Sequence, residues 1–266
     1  DVIGNENSIE CTVTVEDNIP PVARCQNVSV QLDAGGNGST TANVVDNGSN
    51  DACGITSLAL DITDFTCADV GANVVVLTVT DVNGNSSTTD CTVTVEDNVI
   101  PVALCQNVTV QLDTDGNGST TAAAVDNNSN DACGIASLDL DITDFTCTDV
   151  GENPVILTVT DVKGKENTAA CTVTVEDNVA PESVCQDITV QLDVDGNGST
   201  TATAVDNDSN DACGIAILEL DITDFTCADV GDNPVILTVT DVNGNVNMAA
   251  CTVTVEDNIP PVALCQ

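Results

Sequence analysis

Histidine, tryptophan and tyrosine are absent from this 266-residue chain, and methionine occurs once. The only lysines, Lys163 and Lys165, share one turn. The usual pairings of a nucleophile with an activating base are therefore missing. Carboxylate pairs are plentiful only because Asp is abundant, so they mark no centre, and the chain does not read as an enzyme. Lacking Trp and Tyr, it offers no stacking platform for sugars and no antibody-type core built round a Trp. Lys and Arg total 3 against 43 Asp and Glu, a formal net charge of -40. Nucleic acid is a poor partner, because its phosphates call for clustered cations. An anionic membrane surface is disfavoured on the same ground. There is no stretch of 18 apolar residues, so no membrane insertion is expected within these residues. A starting Met and a signal peptide are also missing.

What is present is one phrase repeated. Cys11, Cys91, Cys171 and Cys251 each open CTVTVEDN, and each stands 80 residues after the last. DITDFTC recurs unchanged from Asp61, Asp141 and Asp221. A fixed period of this size is the signature of a repeat array. Identical tandem copies suit a spacer, stalk or fibre better than an active site. Both ends of the chain fall inside a repeat, which reads as a window cut from a longer polypeptide. The expected organisation is the last strand of an upstream repeat and its linker at 1–19. Three repeats follow at 22–97, 102–177 and 182–257, and then a linker with the start of another repeat at 258–266.

Within each repeat the pattern is that of strands. Val108, Val110 and Leu112 alternate with polar residues, as do Leu138 and Leu140, Leu157 and Val159, and Cys171, Val173 and Val175. Alternation of this kind gives a strand with one buried and one wet face. TTAAAVD at 120–126 is read as strand too, because its counterparts keep Thr and β-branched residues. DGNGS at 115–119 and DVNGN at 81–85 are hairpin signals. The expected fold class is all-β: tandem immunoglobulin-like β-sandwich domains, period 80 residues, arranged end to end, with about seven short strands each. Phe65, Phe145 and Phe225 read as core plugs. The linkers EDNIPP, EDNVIP and EDNVAP carry prolines that end a strand and stiffen the connection.

The 14 Cys occupy four fixed places per repeat. No His and no CxxC support zinc, so the regularity argues for a disulfide framework in an oxidising compartment. The half-cystines expected are Cys25, Cys53, Cys67 and Cys91, then Cys105, Cys133, Cys147 and Cys171, then Cys185, Cys213, Cys227 and Cys251. If the first and second strands pair antiparallel, Cys25 and Cys53 meet at one end. Cys67 is then left to Cys91, and the scheme repeats in the later copies. On that scheme Cys11 and Cys265 lack partners.

The phrase CTVTVEDNxxPxxxCQ, with the VNGN turn before the last strand, resembles the hyalin repeat, an immunoglobulin-like module of extracellular adhesive proteins. With DACGI and FTCADVG it is similar to the long arrays in very large secreted or surface proteins of gliding, type IX-secreting bacteria. The resemblance covers the whole chain. It implies an extracellular or cell-surface location and a part in adhesion or surface architecture. It carries over no catalytic or ligand-binding residue.

Calcium is the cofactor to weigh, because divalent cations are natural counterions for so acidic a chain. Asp113, Asp115 and Asn117, and again Asp193, Asp195 and Asn197, match the start of a DxDxNG calcium loop. Asp33 opens the first copy, where Gly35 replaces the second Asp. No Glu closes the loop at its twelfth place, where Ala124 and Ala204 stand, so a plain hairpin turn is the alternative. A second set of candidates lies at the junctions. These are Glu96, Asp97 and Asn98 with Asp131, and Glu176, Asp177 and Asn178 with Asp211. Topology, by analogy with cadherin-like arrays, gathers them with Asp33, Asp64, Asp69, Asp126 and Asp161. So many carboxylates repel unless neutralised or well separated; the alternative is that they point outward into water. Asn-x-Ser/Thr sequons at Asn27, Asn37, Asn47, Asn85, Asn107, Asn117, Asn127, Asn197 and Asn207 are sites open to glycosylation.

The function these readings support is an extracellular structural array forming a rigid stalk or fibre. Its partners are neighbouring repeats of the same polypeptide, with lateral self-association as a further contact. The alternative is an adhesin whose repeats bind a ligand directly, with calcium-dependent rigidity.

Overall fold

The computed structural model describes residues 2–4 and 6–262, and Cys265 lies outside them. Two compact units divide the chain. One is Asp1–Val102 with Asn130–Ser137 and Val159–Asn167; the other is Ala103–Ser129, Leu138–Thr158 and Thr168–Gln266. The division passes through the middle repeat.

The first repeat has six strands: β1 Val28–Gln31, β2 Asn37–Ser39, β3 Ile55–Leu60, β4 Asp64–Thr66, β5 Gly71–Asp81 and β6 Ser86–Glu96. They recur as β7 Val108–Gln111, β8 Asn117–Ser119, β9 Ile135–Leu140, β10 Asp144–Thr146, β11 Gly151–Asp161 and β12 Glu166–Glu176. The third set is β13 Ile188–Gln191, β14 Asn197–Ser199, β15 Ile215–Leu220, β16 Asp224–Thr226, β17 Gly231–Asp241 and β18 Val246–Glu256. In each repeat the first, sixth, fifth and third strands form one sheet in that order, and the second pairs with the fourth in a small sheet. All-β tandem sandwiches are therefore what the sequence encodes.

The alternation read from the sequence sets the burial. Val75, Leu77 and Val79 of β5, with Val93 and Val95 of β6, are fully or almost fully buried, and Phe65 from β4 closes over them at 2% exposure. The second unit repeats this with Val235, Val253, Val255 and Phe225. Each such side chain contributes about 1.5–3 kcal/mol by leaving water. Gly38 lies under this packing, since a Cβ there would stand 2.6 Å from Val30 Cγ1.

Two local expectations are corrected. The segment 120–126 is not strand: Ala122–Val125 is one turn of helix, and Thr121 caps it by accepting from the Ala124 amide. Ala-rich residues after a Thr cap favour that turn, and it sends Val125 fully into the core. The count is six strands per repeat for this reason. The first two strands also do not pair. β1 runs parallel to β6, with Val28 opposite Val93 and Gln31 opposite Glu96, while β2 joins β4.

That pairing decides the cysteines. Extended backward, the β1–β6 register brings Cys25 beside Cys91, and the bond is Cys25–Cys91, with Cys105–Cys171 and Cys185–Cys251 in the later repeats. The expected Cys25–Cys53 and Cys67–Cys91 bonds are overturned, with their counterparts at 105–133, 147–171, 185–213 and 227–251. Cys67 is bonded to Cys133 and Cys147 to Cys213, so these bonds cross from one repeat to the next. Every bond spans 66 residues. Cys53 and Cys227, expected to be bonded, carry free exposed thiols, as does Cys11. Residues 11–16 repeat the Cys91–Glu96 sequence of β6 without forming a strand. Val13 and Val15 there are 82% and 91% exposed. Among the described residues, no helix is long and apolar enough to cross a membrane.

Candidate functional site at the repeat junction

The junction in the first unit is assembled from three loops. The first is the turn Asp33–Asn37 after β1. Its Asp33 carboxylate accepts from the Gly35 and Asn37 amides, and these bonds hold the Asp33 pKa below its ordinary value. The turn requires Gly36 at φ +76°, and a Cβ there would lie 2.6 Å from Cys67 Sγ and 3.2 Å from Ala132 Cβ. Glycine is thus needed twice over, for its backbone and for the space the bond occupies. The second loop begins at Cys67, which opens a 3-10 turn, Cys67–Asp69, closed by a capping box between Thr66 and Asp69. The third is the next repeat's Asn130–Gly134 loop, where the Asp131 carboxylate accepts from the Cys133 amide at 2.8 Å. Cys67 and Cys133 join these loops with Cα atoms 5.1 Å apart. The second unit holds the same arrangement with Gly116, Cys147, Ala212 and Cys213.

Asp97, from the linker, enters this junction at 5% exposure. Its Oδ1 accepts from the Val99 amide at 3.2 Å, and its buried Oδ2 has no hydrogen-bond partner. Ligand atoms of Asp97, Asp131 and Cys133 all lie within 4.8 Å of one another, as do those of Asp177, Asp211 and Cys213. Asp177 Oδ2 is buried and unpartnered in the same way. A charged oxygen left unpaired away from water is costly. Two facing carboxylates at this spacing suit one hard cation, whereas a disulfide sulfur does not ligate such an ion well. The donor set that fits calcium is therefore Asp97 with Asp131, and Asp177 with Asp211.

Several of the remaining sequence candidates are engaged elsewhere. Glu96 Oε2 accepts from Gln31 Nε2 at 2.6 Å, and Asn98 Nδ2 donates to Gln31 Oε1 and to Glu96 Oε2. Gln111, Glu176 and Asn178 repeat that clasp. Asp113 and Asp193 accept from amides of their own turns, while Asn117 and Asn197 donate to the Asp115 and Asp195 carbonyls. The Asp113 and Asp193 carboxylates therefore brace their own turns through Oδ1. Asp33 and Asp64 line a shallow cleft of about 190 Å³ away from Asp97. Asp69 and Asp126 serve the capping box and a turn through Ser129.

Two features at this site were not read from the sequence. Asp81 is fully buried in the β5–β6 turn. Burial alone would raise its pKa, but hydrogen bonds from the Asn85 side chain and from the Asn85, Asn83 and Gly84 amides outweigh it and hold the value below 3.8. Asn85 Nδ2 also donates to the Asp17 carbonyl, so this side chain ties turn to linker. Asn245 does the same for Asp177 and Asp241. In the middle repeat Lys165 replaces that Asn, and Asp161 Oδ2 is left buried without a partner. The second feature is the thiol of Cys53, in the first repeat's counterpart of the Asn130–Gly134 loop. Its pKa is raised by a hydrogen bond to Asp17 and by the charges of Asp17, Asp51 and Asp81.

No protein family and no curated protein matches the chain. Solved structures similar to it include the protocadherin gammaB4 extracellular domain, at TM-score 0.37 and 13% identity over 90% of this chain and 49% of that one. Mouse cadherin-23 EC22-24 is similar at TM-score 0.36 and 11% identity, over 90% and 99% of the two chains. The protocadherin gammaB7 EC3-6 cis-dimer is similar at TM-score 0.33 and 13% identity, over 89% and 73%. No residue role passes from them to this chain.

Proposed function

We propose that this tandem array is an extracellular tension-bearing stalk or fibre, stitched by disulfides across its junctions. One observation carries the reading. Among the described residues five disulfide loops overlap, so that every peptide bond from Cys25 to Cys251 lies inside at least one of them. The linkers would escape if each repeat bonded only to itself; Cys67–Cys133 and Cys147–Cys213 are the bonds that enclose them. A cut anywhere in that span leaves the chain in one piece. Such bonds persist in oxidising surroundings, which supports an extracellular or cell-surface setting, as does the resemblance to hyalin repeats. Calcium bound by Asp97 with Asp131, and by Asp177 with Asp211, would neutralise buried charge and stiffen the same junctions.

The covalent path also limits stretch. A pulled chain crosses each repeat through a bond such as Cys25–Cys91, then follows only the 14 residues from Cys91 to Cys105 before the next bond. At about 3.5 Å per residue, each repeat can extend to about 50 Å when oxidised and about 280 Å when reduced. Single-molecule pulling with and without reductant tests this. Oxidised chains that release the full reduced length per repeat would overturn the reading.

A further inference from the structure

The outer face of the third repeat's four-stranded sheet differs from the same face in its sister repeats. Ile217 of β15 lies opposite Thr240 of β17, which lies opposite Val246 of β18. Thr238 lies opposite Met248, and Ile236 opposite Ala250. Side chains two apart on a strand share a face, and opposite residues are neighbours across it. Ile217, Val246, Met248, Ile236 and Ala250 therefore form one surface, interrupted by Thr238 and Thr240. Ile217 is 51% exposed, Ile236 44%, Val246 47%, and Met248, the chain's only methionine, 62%. The first repeat, in the same register, has Ser57, Ser86, Thr88 and Asp90 where Ile217, Val246, Met248 and Ala250 stand. The middle repeat has Ser137, Glu166 and Thr168 at the first three of these places. The changes toward apolar residues thus gather on one face of one repeat. None of them fills the core, so packing within the repeat does not account for them.

The rim of this surface is acidic. Glu219 follows Ile217 on the same face, opposite Thr238, and Asp232 and Glu256 stand farther along β17 and β18. No Lys or Arg occurs between 182 and 257. We propose that this patch docks a cationic amphipathic segment of a partner protein. Its apolar side chains seat on Ile217, Ile236, Val246 and Met248, and its Lys or Arg side chains meet the acidic rim. Charge argues against a second copy as the occupant. A copy brings the same acidic rim and only 3 basic residues against 43 acidic ones, and like charges brought together across an interface are costly. Size argues the same way. Four half-exposed side chains make a patch of the kind that marks interaction sites, but fall well short of the about 800 Å² per partner of a standard protein pair. Such a patch suits a short segment. Methionine, unbranched and polarizable, adapts its shape to what it meets. The third repeat is thus an attachment point, and its sister repeats, polar on this face, are spacers.

The test titrates the full chain with a Leu/Lys peptide whose leucines recur at helical period, so that one side is apolar and the other cationic. Salt of about 0.15 M screens exposed charges beyond about 8 Å. A Ser/Lys peptide keeps the charge without the apolar side, and a Leu/Glu peptide keeps the apolar side with the opposite charge. The variant Ile217→Ser, Val246→Ser, Met248→Thr takes the first repeat's residues at these places and leaves the net charge unchanged; an unaltered melting temperature confirms its fold. By calorimetry the parent should bind one Leu/Lys peptide per chain, and the variant should bind it at least about tenfold more weakly, having lost three apolar contacts. Ser57→Ile, Ser86→Val, Thr88→Met, Asp90→Ala in the first repeat should raise the count to two peptides per chain. Equal affinity of parent and variant for the Leu/Lys peptide would overturn the proposal, since charge alone would then be at work. So would Leu/Glu binding as tight as Leu/Lys, no saturable binding to the parent, or a graft that leaves the count at one. Self-association of the parent in sedimentation, lost in the variant, would instead make a second copy the occupant and overturn it as well.

Discussion

Cys67 is bonded to Cys133, across the junction and 66 residues away, and not to any cysteine of its own repeat. Gly36 makes the contact possible by leaving the space that its Cβ would fill. The bond, the turn and the linker carboxylate Asp97 form one constellation, and each can be challenged separately.

Gly116→Ala tests the close approach. Its Cβ would stand 2.6 Å from Cys147 Sγ at a backbone φ of +73°. Gly164→Ala is the control, since it too has positive φ, +82°, but nothing lies within 4 Å. The control should lose about 1 kcal/mol from backbone strain. Gly116→Ala should lose clearly more in denaturant melts, and peptide mapping should show the Cys147–Cys213 bond depleted while Cys105–Cys171 survives. Equal losses in both variants would mean that the space under the sulfur is not needed.

Asp97→Asn removes a buried charge whose Oδ2 has no partner, while the new amide oxygen can still accept from the Val99 amide. In chelator the variant should be more stable than the parent by about 1–3 kcal/mol. Calcium should raise the parent's melting temperature and leave an Asp97→Asn, Asp177→Asn double variant almost unmoved. A parent indifferent to calcium, with a double variant less stable in chelator, would rule out a cation at this site.

Asp81 gives a pH signature. Its folded pKa lies below 3.8, so its stabilising effect is present above that ordinary value and is lost as pH falls through the lowered one. Overall acid titration also relieves the repulsion of a strongly acidic chain, so the quantity to measure is the difference between the parent and Asp81→Asn. The parent's advantage in urea melts should be constant from about pH 7 to 5 and shrink below about pH 4. A pH-independent advantage would show that the carboxylate's charge is not what the turn requires.

The repeat period, the strand alternation and the Phe plugs were legible because each rests on local pattern. Val75, Leu77 and Val79 are buried just as their alternation requires. Pairing was not local. The sequence alone cannot tell that β1 lies parallel to β6, with Val28 opposite Val93, and the cysteine partners follow from that one choice. A signal for the cross-junction bonds was nevertheless present: Cys25 to Cys91 and Cys67 to Cys133 share one separation. At the candidate site, Asp97 and Asp131 were in the predicted set, but so were Glu96 and Asn98, which Gln31 takes up instead. Asp97, the residue after β6 ends at Glu96, is the neighbour that is buried, and composition does not report it.

Covalent continuity across the linker is tested most directly by cutting it. A protease recognition sequence inserted between Asn98 and Pro101 falls inside the Cys67–Cys133 loop and outside every other one. After complete cleavage, the chain should keep its full mass under denaturing, non-reducing conditions and separate into two fragments only when a reductant is added. Separation before reduction would contradict the account.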